Sequence, residues 1–211
     1  MTPRRLFIAG SSGATGRRVV ALAAKQGLPF IAHLRPKPGR VAGPSQAVFE
    51  LSDRPALVAA LRGCTTVLQL IGTMRNRFAA GDTYETSDVG TTRALVDAGR
   101  EAGVDHVVLL SSVGAGYPLG AYLRAKAAAE TLVRGSGIPW TIFRPSALVG
   151  DERQPPPGFA AITRALRLRR WEPIPLELLA AGLVRSAAER APLEAVLEGG
   201  TLWAWVSPSS R

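Results

Sequence analysis

Tyr122 and Lys126 stand four residues apart, the spacing that stacks a phenol and an ammonium one turn apart on a single helix face. An ammonium beside a phenol favours the phenolate, which makes the phenol usable as a proton donor and acceptor. A nearby serine hydroxyl, from Ser111 or Ser112, can polarise a carbonyl oxygen. Any helix can carry Tyr and Lys at this spacing by chance, so the pair gains meaning from a second feature. Near the start runs Gly10-x-x-Gly13-x-x-Gly16. Its first glycine permits a tight turn out of a strand, the second lets the backbone approach a pyrophosphate, and the third lets a helix pack closely on the sheet. The free N–H groups at that helix's start then hold phosphates. Diphosphate binding combined with proton transfer suits a nicotinamide dinucleotide, which brings the hydride chemistry itself.

The second strand bears on which dinucleotide. A site built for NAD places an acid at that strand's end to accept from the ribose 2′-hydroxyl. Here the strand runs out as His33-Leu34-Arg35 with no acid beside it. Arg35 offers a charge-assisted fork to a 2′-phosphate, with Arg17 placed to assist. NADP(H) is therefore the expected cofactor ahead of NAD(H).

The elements that must position these residues follow from punctuation and apolar runs. Continuous apolar segments at Leu6–Ala9, Leu28–Leu34, Ala47–Phe49, Thr66–Ile71, His106–Ser111 and Trp140–Arg144 read as buried strands. Between them, helices are predicted over Arg17–Gln26, Pro55–Leu61, Thr83–Ala102 and Tyr122–Arg134. The second has Ser52 or Asp53 as N-cap, and glycines stop all four: Gly27, Gly63, Gly103, and Gly135 with Gly137. Alternation at this spacing means βαβ units, hence an α/β fold: a three-layer, doubly wound Rossmann sheet of order 3-2-1-4-5-6, with room for a seventh strand. After Pro145 the rhythm breaks. A basic helix over Phe159–Arg170, a helix over Leu176–Glu189 and a closing strand at Leu202–Val206 are expected there. Residues 146–211 then form a small substrate-side cap on one domain spanning 1–211.

Composition narrows the class. In 211 residues a single cysteine, Cys64, excludes an internal disulfide framework, and two histidines leave little room for a metal site. No stretch approaches the ~18 consecutive apolar residues of a membrane span, and the first residues carry no signal-peptide core, so a cytoplasmic protein is expected. The net charge of +10 comes from 26 basic against 16 acidic residues, almost all of the basic ones Arg. Without a nucleic-acid-binding motif or a stacking platform, that charge reads as a solvated surface and disfavours nucleic acid as a partner. A small-molecule substrate is expected. Oligomeric state is open, and the cluster Arg164, Arg167, Arg169 and Arg170 has no assigned role.

The chain resembles the short-chain dehydrogenase/reductase superfamily, in its extended or atypical branch. The matching residues are Gly10-x-x-Gly13-x-x-Gly16, Leu70-Ile71-Gly72-Thr73, Ser111-Ser112, Tyr122-x-x-x-Lys126 and Phe143-Arg144-Pro145, spread over essentially the whole chain. Within that branch it is similar to the Tat-interacting-protein-type oxidoreductases and the NAD(P)H-binding NmrA-like proteins, with Asp151-x-Arg153-Gln154 as a further match. The resemblance implies a catalytic set of Ser112 (or its neighbour Ser111), Tyr122 and Lys126. It implies that Gly10, Ser12, Gly13, Ala14, Thr15, Gly16 and Arg35 hold the diphosphate and 2′-phosphate. Glu50 and Leu51 would flank the adenine, Leu70, Ile71 and Gly72 the ribose side, and Pro145, Ser146 and Leu148 the nicotinamide. Two positions depart from the family: Glu50 stands where Asp is frequent, and Asp88 where many members carry Asn. The implied activity is hydride transfer between NADP(H) and a small carbonyl or hydroxyl compound. Rival readings are a non-catalytic NADP(H) sensor of NmrA type, a nucleotide-sugar epimerase or dehydratase, and a flavin or biliverdin-type reductase.

Overall fold

A computed structural model describes residues 4–72, 83–150, 163, 165–166 and 168–207. Seven strands form one parallel sheet: β1 Leu6–Ala9, β2 Phe30–Leu34, β3 Gln46–Val48, β4 Thr66–Gln69, β5 His106–Leu110, β6 Trp140–Arg144 and β9 Ala195–Glu198, in the order β3-β2-β1-β4-β5-β6-β9. The expected Rossmann order is present, extended at one edge by a seventh strand. β7 Leu148–Val149 and β8 Ile174–Pro175 pair separately. Four strands, β1, β4, β5 and most of β6, are buried on both faces, which is why they read as unbroken apolar runs.

Helices cover both faces. α2 (Arg54–Leu61), α3 (Thr91–Ala102) and α4 (Gly120–Arg134) close one apolar layer, which contains Phe7, Leu95, Leu109, Val133 and Ile142. α1 (Ala14–Lys25) and α5 (Leu176–Glu189) close the other, around Leu6, Ile8, Leu68, Phe143 and Leu183, with α6 (Gly200–Val206) against it. Asp53 proves to be the α2 N-cap, its Oδ1 accepting from the Ala56 N–H at 3.0 Å.

Three expectations need correction. α1 begins at Ala14 rather than Arg17, so the last residues of the glycine motif already belong to the helix. The closing strand is Ala195–Glu198, parallel to β6, whereas Leu202–Val206 is helical. Of the stretch expected as a basic helix, Thr163 and Ala165 are helical, Leu166 and Leu168–Arg170 are not, and the rest lies outside the described residues, as do Thr73, Arg75, Arg77, Asp151, Arg153 and Gln154. Arg169 pairs with Glu172 and faces the Trp203 ring at 5.8 Å, while Arg170 pairs with Glu198 and faces Trp171. Half of the unassigned arginine cluster thus serves local packing. No helix among the described residues is long and apolar enough to cross a membrane.

His106, which the sequence leaves without a partner, opens β5 in full burial. The Thr141 hydroxyl donates to the Pro192 carbonyl at 2.5 Å, so the His106 Nε2–H donates to Thr141 Oγ1 at 2.9 Å. Burial, with the charges of Arg4 and Arg190, pushes its pKa down to about 4. The unfolded chain, near the ordinary 6.5, then binds this proton more readily than the fold does between those values. Stability is expected intact above pH ~6.5 and lost by about 3 kcal/mol as pH falls toward ~4. Urea melts between pH 7 and 4 check this: the loss should shrink in His106→Gln, and an equal loss in both proteins contradicts it.

Candidate active site

The sheet's chain order reverses between β1 and β4, the switch point beyond whose strand ends ligands enter doubly wound folds. A cleft of about 470 Å³ opens there. Its wall contains Gly13, Ala14, Thr15, Gly16, Leu70, Gly72, Ser112, Tyr122, Lys126, Pro145, Ser146 and Leu148 from the expected set. It also contains Tyr84, Leu110, Ser111 and Ala147. Residues far apart in sequence, from the glycine loop and from the Tyr–Lys helix, therefore share one cavity.

The glycine loop leaves β1 at Gly10, whose φ of +87° is a left-handed conformation. A Cβ there would come within 2.8 Å of the Leu70 carbonyl carbon, and one at Gly16 within 2.1 Å of the Gly10 oxygen. Strand, loop and helix thus close on one another with no side chain between them. The first turn of α1 presents N–H groups with no carbonyl behind them, the donor set that a diphosphate requires. The bare loop and these donors fit a dinucleotide.

Six expected binding residues lie away from the cleft wall. Gly10 sits beneath the loop, and Ser12 is exposed on it, its carbonyl accepting from Arg17 Nη1 at 2.8 Å. Arg35 and Glu50 are exposed beyond the ends of β2 and β3. Leu51 belongs to the apolar core, and half-buried Ile71 packs against that core instead of into the cleft. β2's end is braced from below: Ser11 Oγ donates to the His33 carbonyl, and His33 Nε2 lies 2.8 Å from the Phe49 oxygen. Burial holds His33 below its ordinary pKa, and the nearby Arg35 charge acts in the same sense against Glu50.

The structure separates the two serines. Ser111 Oγ donates to Glu130 Oε1 at 2.6 Å. Glu130 also takes a two-point hydrogen bond from Arg144, Nε to Oε1 at 2.8 Å and Nη2 to Oε2 at 2.6 Å. Burial works to raise the Glu130 pKa, but the Arg144 and Ser111 hydrogen bonds outweigh it and hold the carboxyl below its ordinary value. Ser111 is thereby committed to a buried network. Ser112 Oγ makes, among the described residues, only a long contact, 3.3 Å to its neighbour's carbonyl, and lines the cleft.

On α4, Tyr122 is 36% exposed and Lys126 is buried. The Lys126 ammonium lies 2.7 Å from Asp88 Oδ1 and donates to the Leu110 carbonyl at 3.3 Å. It stands 5.9 Å from the centre of the Tyr122 ring. Asp88, noted in the sequence for standing where Asn is common, thus neutralises the buried ammonium. Tyr84, which no sequence motif marks, packs edge-on against Tyr122 with centres 5.5 Å apart. Asp88 lies within, and Tyr84 immediately before, an unexpected feature: a π-turn over Glu85–Gly90 interrupts what the sequence predicts as one helix.

A family model described as NAD(P)H-binding matches residues 10–190. Over 167 residues the chain is 31% identical to the (4-alkanoyl-5-oxo-2,5-dihydrofuran-3-yl)methyl phosphate reductase of Streptomyces griseus, covering 76% of this chain and 55% of that protein. It is 30% identical over 177 residues to an uncharacterized chloroplastic protein of Arabidopsis thaliana, covering 74% of this chain and 62% of that one. The chain therefore spans less than two thirds of the length of these relatives. A short-chain dehydrogenase/reductase superfamily protein from Agrobacterium tumefaciens, solved with bound NAD, superposes with a TM-score of 0.69 at 23% identity, over 93% of this chain and 77% of that one. That likeness shows the shared fold.

Proposed function

The chain belongs to the NAD(P)H-binding family of Rossmann-fold proteins, and from that premise we propose that it is an NADP(H)-dependent oxidoreductase acting on a small carbonyl or hydroxyl compound. The observation that carries this reading is the single cleft that joins the glycine loop to Ser112, Tyr122 and Lys126. The reductase of Streptomyces griseus, at 31% identity, supports the reductive sense.

Gly10, Ser12, Gly13, Ala14, Thr15 and Gly16 form the diphosphate cradle, and Arg35 meets the 2′-phosphate from the end of β2. Glu50 stands on the adenine side with Leu51 behind it in the core, Leu70 and Gly72 along the ribose with the Ile71 side chain turned to the core between them, and Pro145, Ser146 and Leu148 around the nicotinamide. Bound NADPH supplies the hydride that reduces the carbonyl carbon. Ser112 donates a hydrogen bond to the carbonyl oxygen, and the Tyr122 hydroxyl gives that oxygen its proton, so that the product is the alcohol. Lys126 orients the nicotinamide ribose and stabilises the Tyr122 oxygen once the proton has left. In the reverse direction each transfer runs backward.

The test is NADPH consumption against panels of carbonyls, quinones and flavins, beside fluorescence titration with NADPH and NADH. Carbonyl-dependent oxidation of NADPH is expected. Tight NADPH binding with no turnover on any panel overturns the enzyme reading in favour of a sensor. Arg35→Ala is expected to weaken NADPH binding by about 1.5–3 kcal/mol, the worth of a hydrogen bond to a charged group, and to leave NADH binding unchanged. An unaltered NADPH-over-NADH preference removes Arg35 from the assignment.

A further inference from the structure

We propose that the π-turn, with the residue that leads into it, is a two-point clamp on the proton-transfer pair, with Asp88 and Tyr84 as positioning residues for Lys126 and Tyr122. The inference rests on the oxidoreductase reading above. Two four-residue spacings pack directly against each other at the edge of the cleft: Tyr84 and Asp88 on one side, Tyr122 and Lys126 on the other. Ring meets ring at 5.5 Å, and carboxylate meets ammonium at 2.7 Å.

Each contact answers a need. A lysine stem has many rotamers to lose, and the Leu110 carbonyl at 3.3 Å is a weak anchor for it. A buried ammonium also needs a counter-charge, and Asp88 is 1% exposed. On the cleft side the pair is left open by Gly72, where a Cβ would lie 3.2 Å from Lys126 Nζ and 3.7 Å from Asp88 Oδ1. The clamp therefore fixes the ammonium while keeping one face of it accessible.

The turn is itself pinned. A π-turn leaves carbonyls without their usual N–H partners, and here Thr92 Oγ1 donates to the Asp88 carbonyl at 2.6 Å while Thr91 Oγ1 donates to that of Ser87. Buried Gln69, at the end of β4, donates to both threonine hydroxyls, at 3.0 and 3.1 Å, and accepts from the Ile71 N–H. One side chain thus locks the π-turn to the strand end that leads into Gly72.

Asp88→Asn keeps shape and removes charge. It is expected to lower kcat about 10²-fold, the scale of a misplaced reacting group, with the carbonyl KM and the NADPH dissociation constant changed less than about threefold. Added to Lys126→Met, it should lower kcat no further. Tyr84→Ala should lose kcat, and Tyr84→Phe should restore most of that loss. A readout independent of turnover uses the three lysines of the chain, with exposed Lys25 and Lys37 as internal standards. In the apoprotein, acylation of Lys126 followed by peptide mass spectrometry should be slow, and about tenfold faster in Asp88→Asn. Unchanged Lys126 labelling, or losses that add in the Asp88/Lys126 double variant, overturns the clamp. If the wild-type protein turns over no carbonyl, the oxidoreductase reading falls alone, and the labelling still decides the clamp.

Discussion

Replacing Tyr122 by Phe is expected to lower carbonyl turnover by about 10²- to 10⁴-fold, the range for a lost general acid, with NADPH affinity changed by less than about twofold. The substitution removes one oxygen and keeps the ring, so the edge-on contact with Tyr84 survives. The side chain is already partly exposed, and losing its hydroxyl uncovers no buried donor. Stability should therefore stay within about 0.5 kcal/mol of wild type, the ordinary range for surface changes. Steady-state rates with the best carbonyl found, cofactor titration and a thermal melt together decide the matter. A rate within a few-fold of wild type means that the proton comes from elsewhere. A parallel fall in rate, affinity and melting temperature means that Tyr122 is structural.

The parts of this site that the sequence makes legible are those whose signal is local. A glycine has one mechanical reading at a strand-to-helix turn, and the Gly10 and Gly16 contacts match it atom for atom. Strands buried on both faces announce themselves as apolar runs, and the right-handed crossover then orders the six strands. The same signal misleads at Leu202–Val206, where a short apolar run with two tryptophans suits a buried strand and a buried helix equally. The true seventh strand, Ala195–Glu198, is a half-exposed edge of four residues and carries too little pattern to stand out. Tyr84, and the pairing of Asp88 with Lys126, were hidden for a different reason. Helical periodicity assumes one register from Thr83 to Ala102, and the π-turn shifts that register before Thr91, so no wheel drawn on the sequence aims Asp88 at Lys126. The choice between Ser111 and Ser112 likewise depends on Glu130, nineteen residues away from Ser111 on another element.

That carboxylate carries the largest expected effect on stability. Glu130→Leu leaves the Arg144 guanidinium, itself 12% exposed, with Glu198 alone at 3.0 Å, and strands the Ser111 hydroxyl. Breaking a buried pair from one side costs about 3–5 kcal/mol, so the melting temperature should fall by roughly 10 °C at about 2–4 °C per kcal/mol for a chain of this size. Because the fold holds the Glu130 carboxyl below its ordinary pKa, its stabilisation is present above the unfolded value near 4.5 and is lost as pH falls through the lower folded one. The variant's deficit should accordingly narrow in acid. Replacing both partners, as Glu130→Leu with Arg144→Met, removes the stranded charge and should recover most of the loss. Turnover separates the two roles of the network. Arg144 lies so close to the loop after Ser112 that a Cβ at Gly116 would stand 2.8 Å from its Nη1. If the ion pair serves only the core, the double variant regains activity along with stability. If it also props the loop that carries Ser112, stability returns while kcat stays low, and restoring Arg144 alone does not rescue it, because a guanidinium without Glu130 has lost the two-point contact that sets its plane.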